Sequence, residues 1–166
     1  MIKRDKSIAF FCSKACPGDI LLKAQDWANG RGPDSAPVIG GFHTPIEPDV
    51  RRILLRGANP VTFVLARAVQ SYRMSPAITA GTAQIIRPFP ATPTRTTAAS
   101  VEIRNRHILT LCGSILFAHA VLDGKTEVLA SEAIALGLSI QRLSSPANAN
   151  LINMDAMPLT ILEQYG

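Results

Sequence analysis

Three things are scarce in this chain. Aromatic residues make up 5% of its 166 residues, charged residues 17%, and there are three cysteines. So few aromatics argue against a platform on which successive bases stack. Cys12, Cys16 and Cys112 are an odd count with no regular framework, which excludes a disulfide-stapled scaffold and points to a reducing compartment. Long apolar runs are missing too, and none reaches the length that spans a bilayer. Ile8–Cys12, behind Lys3, Arg4 and Lys6, is too short for a secretory signal, and Ser13-Lys14 ends it. A cytoplasmic protein without membrane association is expected. Cys-x-x-Cys and His-Glu-x-x-His are both absent, so no metal and no cofactor is expected.

What is present suits one ordinary domain, residues 1–166, with a core that needs no staples. The hydrophobic fraction is 47%, the net charge is +5 and the pI is about 9.5. Such a balance favours an anionic partner. The basic residues are scattered, with no run of five or more, so an anion site has to be assembled by folding.

The apolar pattern alternates between short runs and helical spacing. Ile8–Cys12 reads as a strand buried on both faces. Asp19 can cap a helix to about Asn29, with Ile20, Leu21, Ala24, Trp27 and Ala28 at helical spacing. A strand over 37–41 follows, then a helix with Pro45 in its first turn that stops at Gly57. Strands are expected at 61–66 and 83–86, with a weaker segment over 76–81 between them. The stretch 87–97 is an irregular proline-rich loop, and a helix over 98–112 leads to a strand over 114–118. A helix over 125–136, a strand over 139–143 and a tail from Ser144 without strong pattern complete the chain. Alternating strands and helices joined by glycine-rich turns predict an α/β fold: a Rossmann-like, doubly wound, mostly parallel sheet with helices on both faces. Ligands of such sheets sit at the carboxyl ends of the strands.

Four segments could carry chemistry there. Arg104-Asn105-Arg106-His107 puts two guanidiniums around an amide, and arginine's rigid fork of donors suits phosphate. The turn after the first strand, which includes Ser13, could receive a phosphate on backbone amides, although the Gly-x-Gly-x-x-Gly fingerprint is missing. Gly40-Gly41-Phe42-His43 allows close backbone approach to a ligand, with His43 as a phosphate or base contact. Gly124-Lys125-Thr126 echoes a P-loop. A true P-loop needs a glycine at position 119, and His119 stands there. What is left is a helix N-terminus suited to an anion. Cys12 at a strand tip is a conceivable nucleophile without an assignable histidine partner.

Taken in order, these segments resemble one family. Arg104-Asn105-Arg106 resembles the Arg-Asn-Arg signature of the DNA-processing protein A (DprA, or Smf) family. Ile39-Gly40-Gly41-Phe42 resembles its glycine-rich turn after the second strand. Asp123-Gly124-Lys125-Thr126 with Ala130, Glu132 and Ala133 resembles its Ser-Gly-x-x-x-Thr-Ala segment. Ser145-Pro146 with Asn148-Ala149-Asn150-Leu151-Ile152 is similar to its Pro-Gly…Asn-x-Leu-Ile close. The family's Gly-Ile-Asp reads Pro45-Ile46-Glu47 here, and its flanking small domains are not in this sequence. The resemblance implies a stand-alone, shortened relative with the Rossmann-like domain shared with the lonely-guy phosphoribohydrolases.

It further implies a binding protein rather than an enzyme, with single-stranded DNA or a nucleotide as partner. A role in DNA recombination or uptake, a recombinase partner and a homodimer would go with it. The binding residues would be Ser13, Gly40, Gly41, His43, Arg104, Asn105, Arg106, Gly124, Lys125 and Thr126, assisted by Arg87 and Arg95. The alternative is a nucleotide sensor or an N-glycosidic hydrolase, with Glu47, Glu127 or Glu132 as acid/base candidates. A third reading is a pure interaction protein whose apolar tail, Leu151–Met154 and Met157–Leu162, covers the core or forms a dimer face.

Overall fold

The computed structural model describes residues 5–66, 81–86, 88 and 96–159. Within them the chain runs β1 (Ile8–Cys12), α1 (Gly18–Asn29), β2 (Val38–Gly40), α2 (Glu47–Arg56), β3 (Val61–Val64) and β4 (Ala83–Ile86). It continues through α3 (Ala98–Leu111), β5 (Ser114–His119), α4 (Lys125–Ala135) and β6 (Ser139–Arg142). A 3-10 turn (Pro146–Asn148), α5 (Ala149–Asn153) and β7 (Met157–Pro158) follow. The strands form one sheet in the order β4-β3-β2-β1-β5-β6-β7, with every neighbouring pair parallel. This is the α/β architecture expected from the alternating pattern.

The continuous apolar runs have the reason proposed for them: their alternate residues serve two cores. Phe10 and Cys12 of β1 face a layer with Ile20, Trp27, Val50 and Leu54, under α1 and α2. Ala9 and Phe11 face the opposite layer with Ile108, Leu109, Ala130 and Leu151, under α3, α4 and α5. Aromatic stacking reinforces each layer, Phe10 on Trp27 at 5.4 Å and Phe11 on Phe117 at 5.6 Å between centroids. Strand order reverses between β1 and β5, so their carboxyl ends open a crevice at the switch point.

Several boundaries differ from the sequence expectation, each for a local reason. Helix α1 begins at Gly18 after Pro17, and Asp19 lies in its first turn rather than at its cap. Helix α2 begins at Glu47 with Pro48 in its first turn, two residues beyond the proline that the pattern suggested. Helix α3 starts where Thr97 and Ser100 form a reciprocal capping box, which places Arg104–His107 in mid-helix. Residues 144–159 of the tail, which showed no strong pattern, hold a turn, a helix and an edge strand, and the rest of the apolar stretch from Met157 to Leu162 lies outside the described residues. Within 76–81 only Gly81 is described, and Arg87 and Arg95 lie outside the described residues. Among the described residues, no helix is long and apolar enough to cross a membrane.

Candidate anion-binding site

A cavity of about 770 Å3 lies at the carboxyl ends of β1, β2 and β5. Of the ten residues singled out by sequence, Ser13, Gly41, His43, Arg104, Asn105, Arg106, Gly124, Lys125 and Thr126 line it, and Gly40 does not. Topology explains the convergence. Ser13 follows β1, Gly41 and His43 follow β2, Gly124–Thr126 open α4, and Arg104–Arg106 come from the middle of α3.

Arg104 is the unusual member. It is 5% exposed, yet among the described residues no carboxylate lies within ion-pair distance of it. Its Nε donates to Asn105 Oδ1 at 2.9 Å. The guanidinium lies directly on the backbone of Gly41, where a Cβ would fall 1.9 Å from Nη1 and 2.1 Å from Cζ. The glycine thus permits this close approach, and the approaching group is the protein's own arginine. Burial pulls the Arg104 guanidinium below its usual range, while the charge of Glu47 acts the other way. A buried cation without a bonded counter-ion is costly unless something anionic joins it.

The other cations are not bare. Arg106 makes a two-pronged bridge to Glu132, Nε to Oε2 at 3.1 Å and Nη2 to Oε1 at 3.0 Å, and Glu132 lifts its pKa. Lys125 Nζ lies 3.2 Å from Glu102. Nor are the amides of the glycine turn bare. Glu47, an acid/base candidate from the sequence, is buried, and its carboxylate accepts from three backbone N–H groups. Oε1 takes Cys12 N at 3.2 Å, and Oε2 takes His43 N at 2.7 Å and Thr44 N at 3.1 Å. An internal carboxylate therefore occupies the amides of Cys12, His43 and Thr44. Ser13 is also engaged: its Oγ accepts from Val121 N at 3.0 Å and its N–H donates to His119 O at 2.9 Å, which ties the two loops across the switch point. Gly124, by contrast, caps an eleven-residue helix whose N-terminus faces the cavity.

Sequence reading missed a second cluster. Asn148 is fully buried, donates to Ala118 O and Leu143 O at 2.9 Å each, and pairs through Oδ1 with His119 Nδ1 at 2.9 Å. Asn150 donates to Ala120 O and to Glu127. The Asn-x-Asn spacing at 148 and 150 was the available signal, and it clamps the ends of β5 and β6 behind the cavity. Cys12 is buried and free, and its thiol is pushed far up by burial, then by Cys16 and Glu47. A nucleophile needs the opposite shift. Among the described residues, no group of three His, Cys, Asp or Glu could hold a metal ion.

No family model matches the sequence, and no curated protein does. Solved structures are similar. DNA-processing protein A from Streptococcus pneumoniae superposes with a TM-score of 0.77 at 15% identity, over 98% of this chain and 61% of that one. The chain has the fold of DNA-processing protein A. The corresponding protein from Helicobacter pylori, whose single-stranded DNA binding mode is unusual, superposes with a TM-score of 0.76 at 12% identity, over 96% of this chain and 78% of that one. The likeness is one of fold, and the chain spans 61% of the Streptococcus pneumoniae protein.

Proposed function

We propose that this protein binds single-stranded DNA, through backbone phosphate, at the carboxyl edge of its sheet. One observation carries the reading: Arg104 is a buried guanidinium on Gly41, without a bonded carboxylate among the described residues, at the wall of a 770 Å3 cavity. A phosphodiester oxygen there would supply the missing counter-charge, and the N-terminus of α4 adds a second attraction for anions. The fold shared with a protein whose single-stranded DNA binding is described supports the choice of ligand. A role in DNA recombination or uptake, a recombinase partner and a homodimer belong to the same proposal, as do a single domain over 1–166 and a cytoplasmic setting.

A nucleotide hydrolase reading would need a carboxylate free to move a proton at the ribose. Glu47, Glu127 and Glu132 are instead tied to backbone amides, Asn150 and Arg106 respectively. The test is a titration of labelled oligodeoxythymidine at several salt concentrations. Binding should weaken as salt rises, at about 0.7 in log-log slope for each phosphate contact. Absence of binding at low salt would remove the proposal, and Arg104→Gln should reduce affinity about tenfold or more.

A further inference from the structure

Resting on the reading above, we infer that a second, smaller cavity is a distinct phosphate subsite, in which Arg51 and Arg104 share one phosphate of the strand. This cavity of about 300 Å3 lies beyond Gly41, at the ends of β2 and β3. Arg104 lines both cavities, together with Gly41, His43 and Thr96. Among the described residues, two arginines and His43 line the smaller one, and no carboxylate does. In the larger one Glu47, Glu102 and Glu132 accompany the cations.

Arg51 differs from its neighbours on α2. Arg52 pairs with Asp49 at 3.0 Å, and Arg56 donates to Asn29 Oδ1 at 3.0 Å. The Arg51 guanidinium instead sits 5.8 Å from the Phe63 ring centre. A ring face steadies a guanidinium without neutralising it. Two forked donors around one small cavity match the oxygens of a single phosphodiester.

The distribution of charge along the chain favours the same side. The described residues between 50 and 101 include three arginines, Arg51, Arg52 and Arg56, and no acidic residue. They supply most of α2 and all of β3 and β4, the half of the sheet beside the smaller cavity. Starting at Arg104, an anionic chain therefore runs over β3 rather than over β5 and β6. The neighbouring nucleotide lies in the larger cavity.

The experiment uses the full chain and labelled oligodeoxythymidine, with Arg51→Gln, Arg52→Gln and Arg104→Gln compared at several salt concentrations. Arg51→Gln should lose about tenfold in affinity and about 0.7 in salt slope, while Arg52→Gln stays near the parent. Thymidine 3′,5′-bisphosphate should compete better than the 5′-monophosphate, and Arg51→Gln should erase that advantage. Arg51→Lys, which keeps the charge and the stem over Phe63, guards against a folding defect and should fall between the two. If Arg104→Gln weakens binding but Arg51→Gln and Arg51→Lys bind like the parent, the subsite is wrong and the proposed function stands. If the parent binds no strand at low salt, the proposed function fails first.

Discussion

At the scale of single residues the site turns on Gly41. A methyl group there would overlap the Arg104 guanidinium, which is the far end of a flexible side chain, so the arginine moves rather than the sheet. Gly41→Ala should therefore fold with a loss of about 1 kcal/mol or less, yet bind oligonucleotide several-fold more weakly. Melting and titration of the same sample separate the two effects, and unchanged affinity would mean that Arg104 is not where the anion docks. Cys12 makes a second residue-scale case. Its thiol pKa is raised in the folded state above its ordinary value, chiefly by burial. Folding therefore favours the protonated form. The associated stability is complete below pH 9 and drains away as pH climbs past the unfolded value toward the folded one. Urea midpoints should fall above pH 9, and they should fall less steeply in Cys12→Ala. Native alkylation of Cys12 near neutral pH should be slow and should become fast on unfolding.

At the scale of elements, the ends of β5 and β6 are held by one side chain. Asn148→Ala would orphan the carbonyls of Ala118 and Leu143 and leave His119 without its partner, all away from water. A loss of about 2–4 kcal/mol follows. Asn29→Ala, at an exposed contact with Arg56, should stay within about 0.5 kcal/mol of the parent, and comparable losses at both positions would contradict the clamp. This clamp also marks the limit of what sequence could tell. Strands buried on both faces announce themselves, because a parallel strand between two helix layers is apolar nearly throughout, as β1 is over Ile8–Cys12 and β5 over Ile115–Ala118. Hence the α/β fold and the convergence of Ser13, Gly41, Arg104 and Lys125 were legible. Pairings between side chains were not. Nothing in a linear pattern shows that Glu132 takes Arg106, that Glu102 takes Lys125, or that Glu47 turns inward to three amides rather than outward along its helix dipole. Those partnerships depend on which face of one element meets another, and the spacing along one segment does not record it.

At the scale of the whole molecule, charge is uneven, and its inner bookkeeping sets the expected binding strength. An excess of five positive charges would suggest a broad electrostatic grip, but the cations around the larger cavity are partly cancelled from within. Arg106 and Lys125 are surface-exposed in large part, so their bridges to Glu132 and Glu102 contribute little to stability. Breaking them should cost the fold little and release two cations beside the bound strand. Glu132→Gln and Glu102→Gln are thus expected to bind oligodeoxythymidine several-fold more tightly at low salt. Each should steepen the salt dependence by up to about 0.7 in log-log slope, the contribution of one extra phosphate contact on a single strand. Hydrolysis at this site would give the opposite sign for Glu132, since a lost acid/base group abolishes turnover without tightening the grip on a phosphate. Should both variants melt like the parent and bind no better, Arg106 and Lys125 face away from the strand, and the grip is confined to Arg104 and the half of the sheet that carries Arg51.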